Sequence, residues 1–217
     1  MKTFVKIIIS SVLLIVLYSC GSAKTKLSEY PELYNEMPKT ILVLPPVNNT
    51  TAADAKDLLR TTVAPALAEK GYYVLPIEPI FDFLKLNGAY SIAETSEDLP
   101  LDKFSLIFEA DAILKITINK WDKNYYVIGG NVKVDLAYEL VSTKSANTIW
   151  SRVTTVTVNT TSNSSGNLLA DLVVTAINTG ATKYIDLAKQ AHLLALTDLP
   201  AGFYSPMYQK DQSQKVK

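Results

Sequence analysis

The sequence predicts an α+β (mixed α/β) domain, in which a strand-helix-strand unit joins an antiparallel three-stranded meander and helices pack on the sheet. Three observations lead there. Thr40-Ile41-Leu42-Val43-Leu44 is a β-branched and aliphatic run closed by Pro45-Pro46, the pattern of a buried strand that stops where ladder donors run out. Residues 112–160 carry three alternating or Thr/Val-rich segments separated by polar turns, which is the signature of a meander. Between 54 and 70, and again beyond 168, apolar residues recur at helical spacing.

The first helix places Leu58, Leu59, Thr62, Val63, Ala66 and Leu67 on one stripe. Pro65 lacks an N–H and should kink it near Thr61 and Thr62, and Gly71 stands where a C-terminal cap is expected. Tyr72 to Pro76 returns as a second strand, parallel to the first through a right-handed crossover. Two helices follow, over Pro79–Leu86 and Leu101–Glu109, with a polar connection across 89–100. In the strand Ala112–Trp121, Leu114, Ile116 and Ile118 oppose Lys115, Thr117 and Asn119. Asp122-Lys123-Asn124 reads as a turn, and Gly129-Gly130 as a bulge or strong bend inside the next strand, where Val132, Val134, Leu136, Tyr138 and Leu140 share a face. Thr148 to Thr160 is the third strand of the meander. A helix from Leu168 to Ile177, a break at Gly180 and a resumed helix from Tyr184 to Leu196 come next, then an extended aromatic segment from Leu199 to Pro206.

The start of the chain carries an address. Lys2 and Lys6 precede an apolar run from Ile7 to Tyr18, and Ser19-Cys20-Gly21 closes it with small residues around the only cysteine. A spanning helix needs about 20 apolar residues, so this run is too short to cross a bilayer and reads instead as a lipoprotein signal peptide over residues 1–19. Cys20 is then the lipidation site, taking a diacylglyceryl group on its sulfur and becoming the new amino terminus. On this reading residues 20–38 are a lipidated tether, 39–208 a single periplasm-facing domain and 209–217 a disordered tail. Gly21 and Ser22 do not resemble an inner-membrane retention signal, so the outer membrane facing the periplasm is the expected location.

Composition narrows the partners. Lys plus Arg and Asp plus Glu number 21 each, for a net charge of +0, so there is no basic excess to neutralise phosphates and nucleic acid is excluded as a partner. The single cysteine is consumed by lipidation, which rules out a disulfide framework or a thiolate metal site. His192 is the only histidine and stands in a helical run without a G-x-S-x-G elbow or any other nucleophile motif. Gly129-Gly130 lacks the Lys-Ser or Lys-Thr of a phosphate loop, and Asp111, Asp122 and Asp135 fall on strand ends or polar faces. No catalytic, cofactor or metal site is therefore expected, and the protein reads as a non-enzyme. The informative excess is tyrosine, at 12 residues. Tyr and Trp combine large contact area with a polar handle, so Tyr73, Trp121, Tyr125, Tyr126 and Tyr204 are the candidate partner-binding residues, with packing as the alternative role for each.

The lipobox, Ile41 to Pro46, Gly71-Tyr72-Tyr73-Val74, Ala110 to Trp121 and Leu199-Pro200-Ala201-Gly202-Phe203-Tyr204 together resemble a family of bacterial lipoproteins related in fold to the amino-terminal domain of TolB and to the lipoproteins CsgG and LpoB. The resemblance covers nearly the whole chain after the signal. It implies an envelope setting and brings no catalytic residues, since the related folds act as adaptors, regulators or secretion-channel subunits. The expected function is a membrane-anchored, non-enzymatic adaptor, or a subunit of a lipoprotein or secretion-associated complex. It would hold the lipid bilayer through acylated Cys20 and bind another envelope protein or lipoprotein, with homo-oligomerisation as a further arrangement. The alternative is a small-molecule or glycan binding lipoprotein with a Tyr- and Trp-lined pocket.

Overall fold

The computed structural model describes residues 24–95, 98–126, 129–159 and 182–216. Cys20, the helix expected over Leu168–Ile177 and the break at Gly180 lie outside these residues. In chain order the elements are α1 (Lys26–Glu29), α2 (Pro31–Glu36), β1 (Thr40–Val43), β2 (Val47–Asn48), α3 (Ala55–Glu69), β3 (Tyr73–Val74), α4 (Ile77–Leu86), α5 (Tyr90–Thr95), α6 (Leu101–Phe108), β4 (Ala112–Tyr126), β5 (Gly129–Ser142), β6 (Thr148–Asn159) and α7 (Thr182–Ala195). Among the described residues the strands form one six-stranded sheet in the order β3-β1-β4-β5-β6, with β2 also pairing β4. The mixed α+β class predicted from sequence is the one observed.

The β1-α3-β3 unit is parallel, with Thr40 opposite Tyr73 and Ile41 opposite Val74. Helix α3 ends in a Schellman motif: Gly71 N–H bonds Ala68 O (2.9 Å) and Tyr72 N–H bonds Leu67 O (3.2 Å). This works because Gly71 adopts φ +89°, where a side chain would be strained. The two prolines after β1 interrupt the ladder without ending the edge. The chain resumes as β2 alongside the same β4 neighbour, Val47 opposite Thr117, a pairing not foreseen from sequence.

The sheet has two unequal faces. Ile41, Val43, Leu114, Ile116, Leu136, Tyr138 and Leu140 form the main core with Leu59, Val63 and Leu67 of α3 and Leu187, Ala188 and Ala191 of α7. On the opposite face Leu42, Leu44 and Ile113 pack under Ile80, Phe81 and Leu84 of α4 and Phe104 of α6. That second layer covers only the parallel end, so the outward side of β4 further along is polar, with Lys115 paired to Glu139 of β5.

Three expectations along the meander are corrected. No turn forms at Asp122-Lys123-Asn124; those residues continue β4, and pairing with β5 runs on to Tyr126 opposite Gly129. Gly129-Gly130 is consequently the start of β5 and not a bulge within it. The irregularity falls instead between Ile118 and Lys120, where Ile118 opposes Leu136 and Lys120 opposes Asp135, leaving Asn119 as the extra residue. A bulge reverses the parity of every side chain beyond it. Trp121 would lie on the polar face with Asn119 in a regular strand, and is instead turned into the core.

The ends of the described chain also differ from expectation. Within the segment read as a tether, α1 and α2 are folded, and Tyr30 and Leu33 join the main core. Residues 209–216, read as a disordered tail, run antiparallel to the first described residues: Lys26 N–H bonds Gln214 O (2.8 Å), Leu27 N–H bonds Gln212 O (3.1 Å) and Val216 N–H bonds Lys24 O (2.9 Å). The physical reason is a buried ion pair, Lys26 Nζ to Asp211 Oδ2 at 2.9 Å, whose partners look like solvated charges in the sequence because they stand at opposite ends of it.

Candidate functional site

The structure sorts the five aromatic candidates into three places. Tyr73 is 51% exposed on the edge strand β3 and Tyr204 is 63% exposed on the segment that follows α7. The two are brought together by glycine contact: Tyr204 N–H bonds Gly71 O (2.9 Å) and Gly202 N–H bonds Lys70 O (2.9 Å). A Cβ on Gly202 would stand 2.4 Å from Gly71 O, so only glycine allows this approach. Phe203, missed from sequence, completes the patch. Its ring packs edge-on against Tyr204 (5.2 Å) and Tyr208 (5.4 Å), and the Lys39 ammonium lies 4.2 Å from its centroid. Met207, four residues after Phe203, and Met37, two before Lys39, are also exposed. Trp121 is not part of any surface; it is 4% exposed and faces Val134 in the core. Tyr125 and Tyr126 sit opposite Gly130 and Gly129 at the far end of the β4–β5 ribbon, and their side chains lie outside what is described.

These positions define two ends of the molecule. Lys39, Tyr73, Asp111 and the aromatic patch gather where the parallel strands begin, with Asp111 Oδ2 accepting from Lys39 N–H (2.8 Å) and Thr40 N–H (2.9 Å). Strand β4 starts there and runs for 15 residues, so at about 3.3 Å per residue its far end is ~45 Å away.

The one histidine is sealed. His192 is fully buried, with Nδ1 2.9 Å from the Tyr138 hydroxyl and Nε2 3.0 Å from Thr62 Oγ1. Thr62 sits mid-helix and its hydroxyl lies 2.9 Å from Leu58 O; that carbonyl can only accept, so Thr62 donates to it and accepts from His192 Nε2–H. Nδ1 is then the acceptor for Tyr138. Burial holds the imidazole neutral, pushing its pKa down to about 4, and burial raises Tyr138. The three side chains join α3, α7 and β5 into one packed unit, and none reaches solvent as an acid or base would need to.

A second buried centre closes the chain ends. Asp211 accepts from Lys26 Nζ, from Tyr34 OH (2.9 Å) and from Ala201 N–H (2.9 Å), and Lys26 Nζ also bonds Leu199 O (3.2 Å). Burial alone would push the Asp211 carboxyl up; the bonds from Lys26, Ala201 and Tyr34 outweigh it and hold the group below its ordinary value. Burial and then the carboxylate contact raise Tyr34. Among the described residues, no group of three or more His, Cys, Asp or Glu is placed to hold a metal ion, and no helix is long and apolar enough to cross a membrane.

A further surface was not foreseen. On α4 and α6, Leu86 is 88% and Leu106 83% exposed, with Phe83 and Ile107 also exposed around the edge-to-face pair Phe83–Phe108 (5.3 Å). The signal was present: Phe83 and Leu86 fall off the stripe of Ile80, Phe81 and Leu84 that meets the sheet, so this short helix carries apolar residues on two sides.

Fold and surfaces together define a class: an α+β domain with buried polar centres and exposed apolar and aromatic surface. The chain belongs to the family described as "Putative lipoprotein GNA1162-like", which matches residues 28–199. It is 28% identical over 186 residues to the Neisseria meningitidis serogroup B protein NMB1124/NMB1162, covering 85% of each chain. The crystal structure of lipoprotein GNA1162 from Neisseria meningitidis aligns with a TM-score of 0.53 at 28% identity, covering 64% of this chain and 95% of that one. The LpoB C-terminal domain from Salmonella enterica is a more remote neighbour, with a TM-score of 0.40 at 15% identity over 58% of this chain and 94% of that one. Membership gives the protein its setting as a lipid-anchored lipoprotein of the cell envelope.

Proposed function

We propose that this lipoprotein is a non-enzymatic adaptor, anchored through acylated Cys20 on the periplasmic side of the outer membrane, that docks a second envelope protein. The observation that carries the reading is the apolar surface of α4 and α6, where Leu86 and Leu106 are almost wholly exposed. Large apolar side chains grouped on a surface mark interaction sites, because leaving them in water forfeits about 25 cal/mol for each Å² that a partner would cover. The buried polar centres support it from the other side: His192 and Asp211 spend their hydrogen bonds on packing. The β4–β5 ribbon offers a second contact, holding the backbone of Tyr125 and Tyr126 away from the end where the chain leaves the anchor.

Photocrosslinking in intact cells tests this, with a photoreactive residue in turn at Leu86, Leu106, Tyr73, Tyr125 and Tyr204. One envelope protein captured at Leu86 or Leu106 is expected. Self-crosslinks alone would replace the adaptor with a homo-oligomer, and no protein captured at any site, with a monomer in detergent, would refute the reading.

A further inference from the structure

The anchor is short. Three residues, Gly21, Ser22 and Ala23, separate Cys20 from Lys24, the first described residue, and the four Cα-to-Cα steps between them, at 3.3–3.6 Å each, reach at most about 14 Å. The headgroup layer of a bilayer takes up roughly 6 Å of that. A domain acylated at Cys20 therefore has almost no freedom to stand off, and the end that carries Lys24 meets the lipid surface.

That end bears the aromatic patch. The Lys26 side chain reaches Leu199 O and Asp211, and the same carboxylate holds Ala201 N–H, so the first turn of α1 is one lysine side chain away from the segment that displays Phe203, Tyr204 and Met207. Leu27, bonded to Gln212 O, is exposed alongside. Lys39, Lys210 and Lys215 are exposed at its edge, with Lys24 paired to Glu29. Amphipathic aromatic rings with lysines beside them suit the boundary between acyl chains and headgroups, where the ring is dehydrated and the hydroxyl or ammonium stays wet.

We propose that Phe203, Tyr204 and Met207, flanked by Lys39 and Lys210, seat in the headgroup layer of the membrane that holds Cys20. The patch is a lipid-docking face, and the domain is fixed in orientation with the β4–β5 ribbon pointing into the periplasm. The proposal rests on Cys20 being lipidated, as in the adaptor reading, and gives Tyr73 and Tyr204 a bilayer where the sequence suggested a protein.

The test uses the full-length lipidated protein in vesicles of phosphatidylethanolamine and phosphatidylglycerol. An environment-sensitive fluorophore is attached at Met207→Cys or, for comparison, at Leu86→Cys, and lipids with a headgroup nitroxide serve as quencher. Flotation of the protein with the vesicles reports the anchor independently. Docking predicts several-fold stronger quenching at Met207 than at Leu86, and loss of that difference in Phe203→Ser/Tyr204→Ser with flotation retained. Equal, weak quenching at both positions in floating protein would overturn the docking face while leaving the anchor intact. Failure to float would remove the anchor on which both readings stand. Shielding of Met207 only by an added envelope protein, without lipid quenching, would hand the patch to that protein and refute the proposal.

Discussion

Replacing Asp211 by alanine should unfold far more than a surface charge would. The substitution strands the Lys26 ammonium, whose side chain is 6% exposed, with Leu199 O as its remaining protein acceptor at 3.2 Å. It also leaves Tyr34 OH and Ala201 N–H without the carboxylate that accepts from both. Removing one member of a buried pair costs about 3–5 kcal/mol, against less than about 1 kcal/mol for an exposed pair. With a urea m-value of about 2 kcal/mol/M, the unfolding midpoint of the soluble domain should fall by roughly 2 M. The loss should persist at high salt, since a buried pair is poorly screened. Lys26→Met combined with Asp211→Leu should recover part of it, leaving a deficit of about 1–3 kcal/mol from the orphaned Tyr34 and Ala201 donors. Removing residues 209–217 should cost at least as much as the single substitution. A midpoint shift under about 0.5 M, or a truncated chain as stable as the whole, would refute the reasoning and return these residues to the role of a loose tail.

Acid should weaken the fold through His192. Its folded pKa of about 4 lies below the ordinary 6.5, so the unfolded chain binds the proton more readily. The stabilisation is complete above about pH 6.5 and is lost as pH falls toward 4, reaching about 3 kcal/mol. The urea midpoint measured across that range should flatten in His192→Gln, and an unchanged slope would remove the histidine as the cause. Asp211, held below its ordinary value, adds a loss in the same direction at lower pH, as its carboxylate takes up a proton. At the glycine contact, Gly202→Ala should lower the melting temperature by about 6–12 °C. The new Cβ would sit 2.4 Å from Gly71 O and 2.8 Å from Cγ of the buried Tyr72 ring, and neither the backbone nor the ring root can swing aside. A melting temperature within about 2 °C of the parent would show that the contact is loose.

What the sequence made legible was whatever its local periodicity carried. The β1 run, the α3 stripe with Gly71 behind it, and the alternation of the last three strands all follow from spacing within a dozen or so residues. The misreadings have one physical root, which is that the deciding partner is remote. Asn119 looks like any other polar-face residue of β4, and its role as the extra residue of a bulge depends on the register of β5; the reversal of Trp121 follows from it. Asp122-Lys123-Asn124 has turn composition, yet its residues pair with Lys133, Val132 and Asn131 of β5, so the remote strand overrides the local signal. Lys26 and Asp211 are 185 positions apart, and nothing near either hints at burial. Tyr73 and Tyr204 were both singled out from composition, but their proximity depends on two glycines meeting face to face.

The antiparallel closure of the chain ends has a mechanical consequence. Were the chain loaded through its amino-terminal end, tension would enter the described domain at Lys24. The bonds from Val216 to Lys24, Lys26 to Gln214 and Leu27 to Gln212 then act as a buckle that must be undone one rung at a time. Behind them the Lys26–Asp211 pair passes the load through Ala201 and on to the Gly202–Lys70 bond. Strain is thereby delivered to the base of the parallel strands, where Gly71 and Gly202 meet.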